Sequence, residues 1–543
     1  MGFLEQARAW AMQDPDLETK AELEALIENQ NFTELEARFE SRLQFGTAGL
    51  RGELGAGPNR MNRIVVARTA LAISQFLNQN KSDYLNPEGE LSVVIGYDGR
   101  KNSDIFARDS AEIFSAAGIR ALLFDQNVPT PVAAFTGRRL RSSATIVVTA
   151  SHNPPRDNGY KVYLGGKNGQ SQLNSPQDSK ISALMDEISV ATSFDQIPKT
   201  TSYQLIGEAE ILSYRNRSLE LISPQNPARQ NLLITYTAMH GVGYKVIAPI
   251  FEAAGFDLKA VAAQRDPDQN FPTVSFPNPE EPGAMDLAFE HAKQNSSDLI
   301  IANDPDADRL AVGVRTDSDY QMLTGDQVGL LLAEIVAKTS TQGTLANSIV
   351  SADISKVARK YGLDYTQTLT GFKWISKVPN LVFGYEEALG YCVDPDHTPD
   401  KDGITAALLI AELAADLKTR NQNLRTYLDE LAKDYGHIAT GQVSLRVTDL
   451  SIIAKIMDGL RSSTPELVLN QSCKFEDLSS GENLPPTDGI ILSNEAVRVI
   501  IRPSGTEPKL KCYLQYQGKT QEEATRFLED LKLWAKDLLQ DLS

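Results

Sequence analysis

One motif recurs along the chain and limits the folds open to it. AEIFSAAGIRALLF at 111–124 matches APIFEAAGFDLKAV at 248–261, and KVARKYGLDYTQTL at 356–369 is a fainter third copy. Each copy reads as a helix closed by a glycine (Gly118, Gly255, Gly362) and then an apolar strand. An apolar strand also precedes each helix: LSVVIGYD, NLLITYTA and NSIVSADI. Repeated strand–helix–strand units predict several similar α/β domains in series. The 543 residues have room for roughly three to five domains.

After about residue 437 the pattern changes. Strand-like runs at 438–446, 489–493 and 496–501 lead to the strictly alternating KLKCYLQY, and a charged helix closes the chain from about 519. The expected fold class is therefore α/β: three similar mixed α/β domains at 1–204, 205–320 and 321–436, and a smaller C-terminal α+β domain at 437–543. The polar, Gly/Pro-rich segment 462–489 reads as a surface loop, and the first 40 or so residues as surface helices.

Fifty-three basic and 71 acidic residues leave a net charge of −18. A field of that sign repels nucleic acid and anionic membranes, so a site for an anionic substrate must be locally basic. Three cysteines (Cys392, Cys473, Cys512) are too few for a disulfide framework, and the N-terminus MGFLEQARAW lacks a signal-peptide pattern. Apolar runs such as 328–337 are too short to span a bilayer. The expectation is a soluble cytoplasmic protein with neither nucleic-acid nor membrane partners.

Four segments carry chemistry. In ATIVVTASHNPPRDNGYKVYL a buried-type strand ends in Ser151-His152-Asn153, where α/β sheets place ligands, and Pro154 and Pro155 stiffen the turn. Lys161, expected at the start of another short strand, can return toward Ser151 as a charge partner or proton carrier. In LIIANDPDADRLAVGV, Asp304, Asp306 and Asp308 alternate on a tight loop before Arg309, and oxygen-only ligands converging on one point favour Mg2+ or Mn2+. In AVRVIIRPSGTEPKLKCY, Arg502, Ser504, Gly505 and Thr506, with Lys509, have the composition of a phosphate clamp: a guanidinium, two hydroxyls and a turn that aims N–H groups at an anion. In VFGYEEALGYCVD, Glu386 and Glu387 lie on an apparent strand end, where carboxylates accept hydrogen bonds from vicinal sugar hydroxyls. FGTAGLRG with Arg51, GYDGRKNS with Arg100 and TLTGFKWI with Lys373 each put a cation beside glycine; singly, each reads as a solvated charge. His240, in TAMHGVG, is a further candidate to line the same site, whereas His291, His397 and His437 read as structural or exposed.

Together these segments resemble the α-D-phosphohexomutase family, the phosphoglucomutases and phosphomannomutases. FGTAGLRG, TASHNPP, DPDADR, the EEALG loop and RPSGTEP follow one another in the family's order over residues 45–510. GYEEALGY and the long N-terminal lead look most like the phosphoglucomutase-2 or phosphopentomutase-like branch. The resemblance implies four domains around a central cleft: the first with the phosphoserine loop, the second with the metal loop, the third with the sugar-binding loop and the fourth with the phosphate clamp. It implies that Ser151 carries phosphate and joins Asp304, Asp306 and Asp308 in holding Mg2+. It groups Lys161, Arg51 and His152 with Ser151 as catalytic residues, and assigns substrate contacts to Arg309, Lys373, Glu386, Glu387, Arg502, Ser504, Gly505, Thr506 and Lys509. The chain departs from the family at Ala388, where many members have Ser, so one sugar contact is absent.

The implied activity is interconversion of sugar 1-phosphate and sugar 6-phosphate, glucose first, with glucose 1,6-bisphosphate as intermediate and activator. Mannose or pentose phosphates, or synthesis of the bisphosphate itself, are the related alternatives. Outside the mutases stand a phosphoserine-type phosphatase and a silent phosphosugar-binding protein. The expected partner is a small phosphosugar, and the expected assembly a monomer or homodimer.

Overall fold

The computed structural model describes residues 2–46, 49–316, 319–447, 449–481, 484–504 and 509–542. The chain divides into two compact units: Met1–Leu323 with Gly390–Thr419, and Thr324–Leu389 with Arg420–Ser543.

In the first unit, helices Phe3–Gln13, Leu17–Glu28 and Phe32–Phe39 precede the first sheet. They are more than a surface lead. Ala7, Trp10, Leu23, Leu35 and Phe39 form a small core with Ala56, Ile64 and Val65. Amphipathic spacing gave each helix one apolar face, and three such faces can bury one another.

The first sheet runs in the order Leu50–Glu53, Asp157–Leu164, Ala144–Val148, Ser92–Tyr97, Arg120–Phe124, Gln204–Ile206. Ala144–Val148, Ser92–Tyr97, Arg120–Phe124 and Gln204–Ile206 pair in parallel, and Asp157–Leu164 is antiparallel to both its neighbours in that order. The second sheet, also in this unit, runs Tyr320–Met322, Ala311–Arg315, Leu299–Ala302, Leu233–Thr237, Asp257–Ala260. Its last three strands are parallel. Ala144–Val148 and Leu299–Ala302 are interior strands buried at every position, hence on both faces, which explains why they read as continuous apolar runs.

In the second unit, Asp364–Thr368, Thr344–Ser348 and Leu381–Glu386 form a parallel arrangement. A five-stranded antiparallel sheet follows in the order His437–Arg446, Lys509–Gly518, Val497–Pro503, Ile490–Ser493, Lys474–Asp477, with the helix Gln521–Leu542 packed on it. Cys512 points into that core, and the alternation of KLKCYLQY is its face pattern.

The recurring string has one physical meaning in all three copies. Helices Ser103–Ala116, Tyr244–Ala254 and Ser355–Tyr361 end just before Gly118, Gly255 and Gly362, whose φ values are 75°, 90° and 69°. Each following strand pairs in parallel with the strand before the helix. Two expectations shift. The third preceding strand is Thr344–Ser348 rather than NSIVSADI, because the chain turns at Ile349–Ser351 and Asp353 caps the next helix through the Ser355 N–H. Within 462–489, Lys474–Asp477 is an edge strand paired with Ile490–Ser493, and Leu467–Val468 pairs with Gln471–Ser472. Short edge strands need few apolar residues, so their composition resembles a loop.

Gly255 has open space where a Cβ would stand, so its requirement is conformational alone. Gly255→Ala should cost about 1 kcal/mol, and Gly255→Asn less, since Asn tolerates the left-handed region. Urea midpoints of the three proteins check this.

Candidate active site

The strand Ala144–Val148 delivers the chain to Ser151 three residues beyond its end. Ser151 is fully buried and left-handed, with φ 53°. Its N–H donates to Thr149 Oγ1 at 2.8 Å. Its Oγ donates to Asp304 Oδ2 at 2.7 Å and lies 3.2 Å from His152 Nδ1. Burial, with Arg309 and Arg51 nearby, holds the His152 imidazole well below its usual pKa, so it is neutral.

Asp304 enters from the second sheet, on the loop after Leu299–Ala302. Asp304, Asp306 and Asp308 are all fully buried, and one oxygen of each lies within 4.8 Å of the others. Lys161 stands in the middle of the eight-residue strand Asp157–Leu164, not at the start of a short one. Its Nζ donates to Asp306 Oδ2 and Asp308 Oδ2, each at 2.6 Å.

Thr130 Oγ1 also donates to Asp306 Oδ2, at 2.6 Å, and Lys401 Nζ is 3.4 Å from Asp308 Oδ2. Neither residue stands in a motif that the sequence marks out. The available signal for Lys401 was PDKDG, a lysine between two acids ahead of a long apolar helix.

Charge is unevenly compensated across the three acids. Burial opposes ionisation of Asp308, yet Lys161, Lys401 and Arg309 outweigh it and keep the group below the usual carboxylate range. Asp304 has the opposite balance: burial and the charges of Asp306 and Asp308 raise it well above that range. Asp306 Oδ1 and Asp308 Oδ1 have no hydrogen-bond partner among the described residues. Buried carboxylate oxygens without donors are costly, and a hard divalent cation satisfies them. The residues fit such an ion.

Arg51, which the resemblance grouped with Ser151, and Arg100, which read as a solvated charge, are both drawn into the structure. Arg51 sits on Leu50–Glu53 opposite Gly159, and its buried Nε has no hydrogen-bond partner among the described residues. A Cβ on Gly159 would lie 2.5 Å from Thr149 O and 3.0 Å from Arg51 Cγ, so glycine makes room for this side chain. Arg100 is 4% exposed and bonds the carbonyls of the Ser151 loop. Arg309 donates its backbone N–H to Asp304 Oδ1 at 3.1 Å, with Nε 4.0 Å from Asp308. His240 Nε2 is 2.8 Å from Thr273 Oγ1, and its ring packs edge-on against Phe271.

The second unit holds the remaining candidates. Glu386 Oε1 accepts from the Gly371 N–H at 2.7 Å, which ties the carboxylate loop to the turn before Lys373, on the short helix Phe372–Ile375. Glu387 Oε2 accepts from Ser351 Oγ at 2.8 Å, the same hydroxyl that the Glu387 N–H reaches. Arg502 Nη1 donates to Thr370 Oγ1 at 2.8 Å, and Ser504 N–H donates to Lys509 O at 2.8 Å. Tyr513 reports the convergence of these groups. Burial raises its hydroxyl pKa, and Glu387, Arg502 and Glu386 all act on it. The clamp residues Gly505 and Thr506 lie outside the described residues.

The comparisons agree with this geometry. Residues 42–191, 214–317 and 324–435 match the phosphoglucomutase/phosphomannomutase alpha/beta/alpha domains I, II and III, and residues 468–533 match the C-terminal domain of the same family. The chain belongs to the phosphoglucomutase/phosphomannomutase family, within the α-D-phosphohexomutases, and is an isomerase of the phosphotransferase type. It is 43% identical to a "Probable phosphomannomutase" of Haemophilus influenzae over 88% of this chain and 98% of that protein. It is 33% identical to a phosphopentomutase of Homo sapiens, over 94% of this chain and 91% of the other. It is also 33% identical to a phosphoglucomutase of Staphylococcus haemolyticus, over 92% and 95%. Among the described residues no helix is long and apolar enough to cross a membrane.

Glu387 supplies a pH test. Burial, Glu386 and Asp326 raise its carboxyl from an ordinary 4.5 to about 8. The folded protein therefore holds that proton more tightly than the unfolded chain, and this group makes stability fall as pH rises from 4.5 toward about 8. Glu387→Gln should flatten the decline, which thermal midpoints across that interval measure.

Proposed function

We propose that the protein interconverts a sugar 1-phosphate and the corresponding 6-phosphate through a phosphoserine at Ser151 and a bisphosphorylated sugar. The observation that carries this reading is the buried Ser151 hydroxyl, 2.7 Å from the first of three clustered aspartates. Asp304, Asp306, Asp308 and the oxygen on Ser151 would hold Mg2+, which when bound spreads the charge that develops on a transferring phosphoryl group.

The chain's own residues do the rest. Lys161 keeps two of the aspartates ionised and in place. Arg51 and Arg309 add positive charge where an anion must be accepted, and His152 stands beside the Ser151 oxygen as a neutral imidazole. Arg502, Ser504, Gly505, Thr506, Lys509 and Lys373 take the phosphate that is not transferred. Glu386 and Glu387 take the sugar hydroxyls. With Glu387 protonated near neutral pH, the pair offers both a donor and acceptors, which suits a sugar that binds in two orientations.

In the first transfer a sugar hydroxyl oxygen bonds to phosphorus as the bond to Ser151 Oγ breaks. The hydroxyl proton leaves to a base, and the serine oxygen keeps the electron pair. The bisphosphate then turns end for end and returns its other phosphoryl group to Ser151, so no water is consumed. Glucose 1-phosphate, with glucose 1,6-bisphosphate as intermediate and activator, is the first substrate; the staphylococcal relative's name supports it. The name of the Haemophilus relative favours mannose, and that of the human relative a pentose. Turnover of glucose, mannose, N-acetylglucosamine and ribose 1-phosphates ranks them.

Ser151→Ala should abolish interconversion and remove the phosphoryl mass from the intact protein while leaving the fold. Wild-type turnover in that variant sinks the assignment, and release of free phosphate without interconversion points to a phosphatase instead. Chelation of divalent ions should stop turnover and Mg2+ restore it. Loss of one charge-assisted phosphate contact in Arg502→Ala should raise KM by about tenfold or more, with kcat less affected.

A further inference from the structure

The Ser151 loop has little secondary structure of its own to hold it. Between the strands Ala144–Val148 and Asp157–Leu164 it is stiffened by Pro154 and Pro155 and keeps two short backbone turns, Asn153 N–H to Ala150 O and Asp157 N–H to Pro154 O. Ser151 itself is left-handed, a conformation that costs about 1–2 kcal/mol for a residue with a Cβ and persists only where surroundings impose it.

One side chain supplies what is missing. Arg100 Nη2 donates to Ser151 O and Asn153 O, each at 2.6 Å. Arg100 Nη1 donates to Pro154 O at 2.8 Å and Asp157 O at 3.1 Å. Three carbonyls of the loop and that of Asp157, the first residue of the next strand, thus converge on one guanidinium.

The guanidinium is in turn fixed from two sides. Asp98 Oδ1 accepts the Arg100 backbone N–H at 3.0 Å and Ser103 Oγ at 2.7 Å, while Asp98 Oδ2 lies 3.4 Å from Arg100 Nε. The ring of Phe271 lies over the guanidinium, 5.0 Å from Cζ to centroid. Phe271 belongs to the loop that also abuts Gly99, where a Cβ would come 2.8 Å from Pro267 Cβ. The same arginine therefore touches both the serine loop and a loop of the second α/β layer, whose sheet carries Asp304.

We propose that Arg100 is the positioning residue of the phosphoryl-transfer site: its four-carbonyl grip imposes the left-handed Ser151 that keeps Oγ on Asp304. The inference rests on the reading of Ser151 as the phosphoryl carrier. Among the described residues the Arg100 guanidinium donates to backbone carbonyls between 151 and 157, and none of the proposed phosphate or sugar contacts uses it, so it governs transfer and not substrate binding. Lysine keeps the charge but has a single nitrogen and cannot reproduce the fork.

The test uses the full chain as wild type, Arg100→Lys and Arg100→Ala. Arg100→Lys should lower kcat by about a hundredfold, the scale of a displaced reacting group, with KM for the sugar 1-phosphate unchanged. Amide hydrogen exchange at Ser151–Asn153 should accelerate in Arg100→Lys while the strands of the first sheet keep wild-type protection. In Arg100→Ala, low-millimolar guanidinium chloride should restore part of kcat where sodium chloride does not. Wild-type kcat or wild-type exchange at Ser151–Asn153 in Arg100→Lys overturns the inference, as does a loss carried by KM alone. If Arg100→Ala does not fold, the lysine variant decides. Wild-type protein that never carries phosphate on Ser151 fails the parent reading instead; the exchange result still separates the two.

Discussion

The candidate site in the first unit is arranged around a buried excess of negative charge. Three carboxylates that converge within 4.8 Å, all fully buried, cannot stand without compensation. Lys161 and Lys401 supply part of it from different segments, and Thr130 adds a hydroxyl donor. The loop itself contributes the Arg309 N–H. What these leave unmatched is directed at one place, where Asp306 and Asp308 each keep one donorless oxygen and Asp304 meets the Ser151 hydroxyl. The fold thereby stores, in its own electrostatics, the demand for a cation beside the Ser151 hydroxyl.

That arrangement explains why the segments involved are so far apart in sequence. Leu50–Glu53, Ala144–Val148 and Asp157–Leu164 are neighbours in one sheet, so Arg51, Ser151 and Lys161 are brought together by strand pairing. Asp304 comes from a second sheet, and Lys401 from the 390–419 segment that rejoins the first unit late in the chain. The helix that follows begins at Gly403, where a Cβ would lie 2.2 Å from Arg309 O; only glycine permits so close an approach to the acidic loop.

The legible part of the site was its chemistry-bearing residue types. Three alternating aspartates and a serine past a strand end announce themselves in a short window. Arg100 did not. Its four acceptors are backbone carbonyls at 151–157, which have no side-chain signature and lie some fifty residues away, so GYDGR read as an exposed charge. Thr130 and Lys401 escaped for a similar reason: each gains its role from an aspartate far along the chain. His240, a candidate to line the site, has its ring nitrogen 2.8 Å from Thr273 Oγ1, a contact that no short window of sequence shows.

The sequence by itself determined the repeated strand–helix–strand units, because the glycine that ends each helix and the apolar strand that follows are local requirements of backbone geometry and burial. It also determined the family, through motifs whose order survives without any contact information. Only the tertiary structure decided which cation answers which carboxylate, that the N-terminal helices bury a core of their own, and that Lys474–Asp477 is a strand. Those depend on which distant groups share a low-dielectric interior or a sheet edge, and neither neighbour relation is written in the residues on either side.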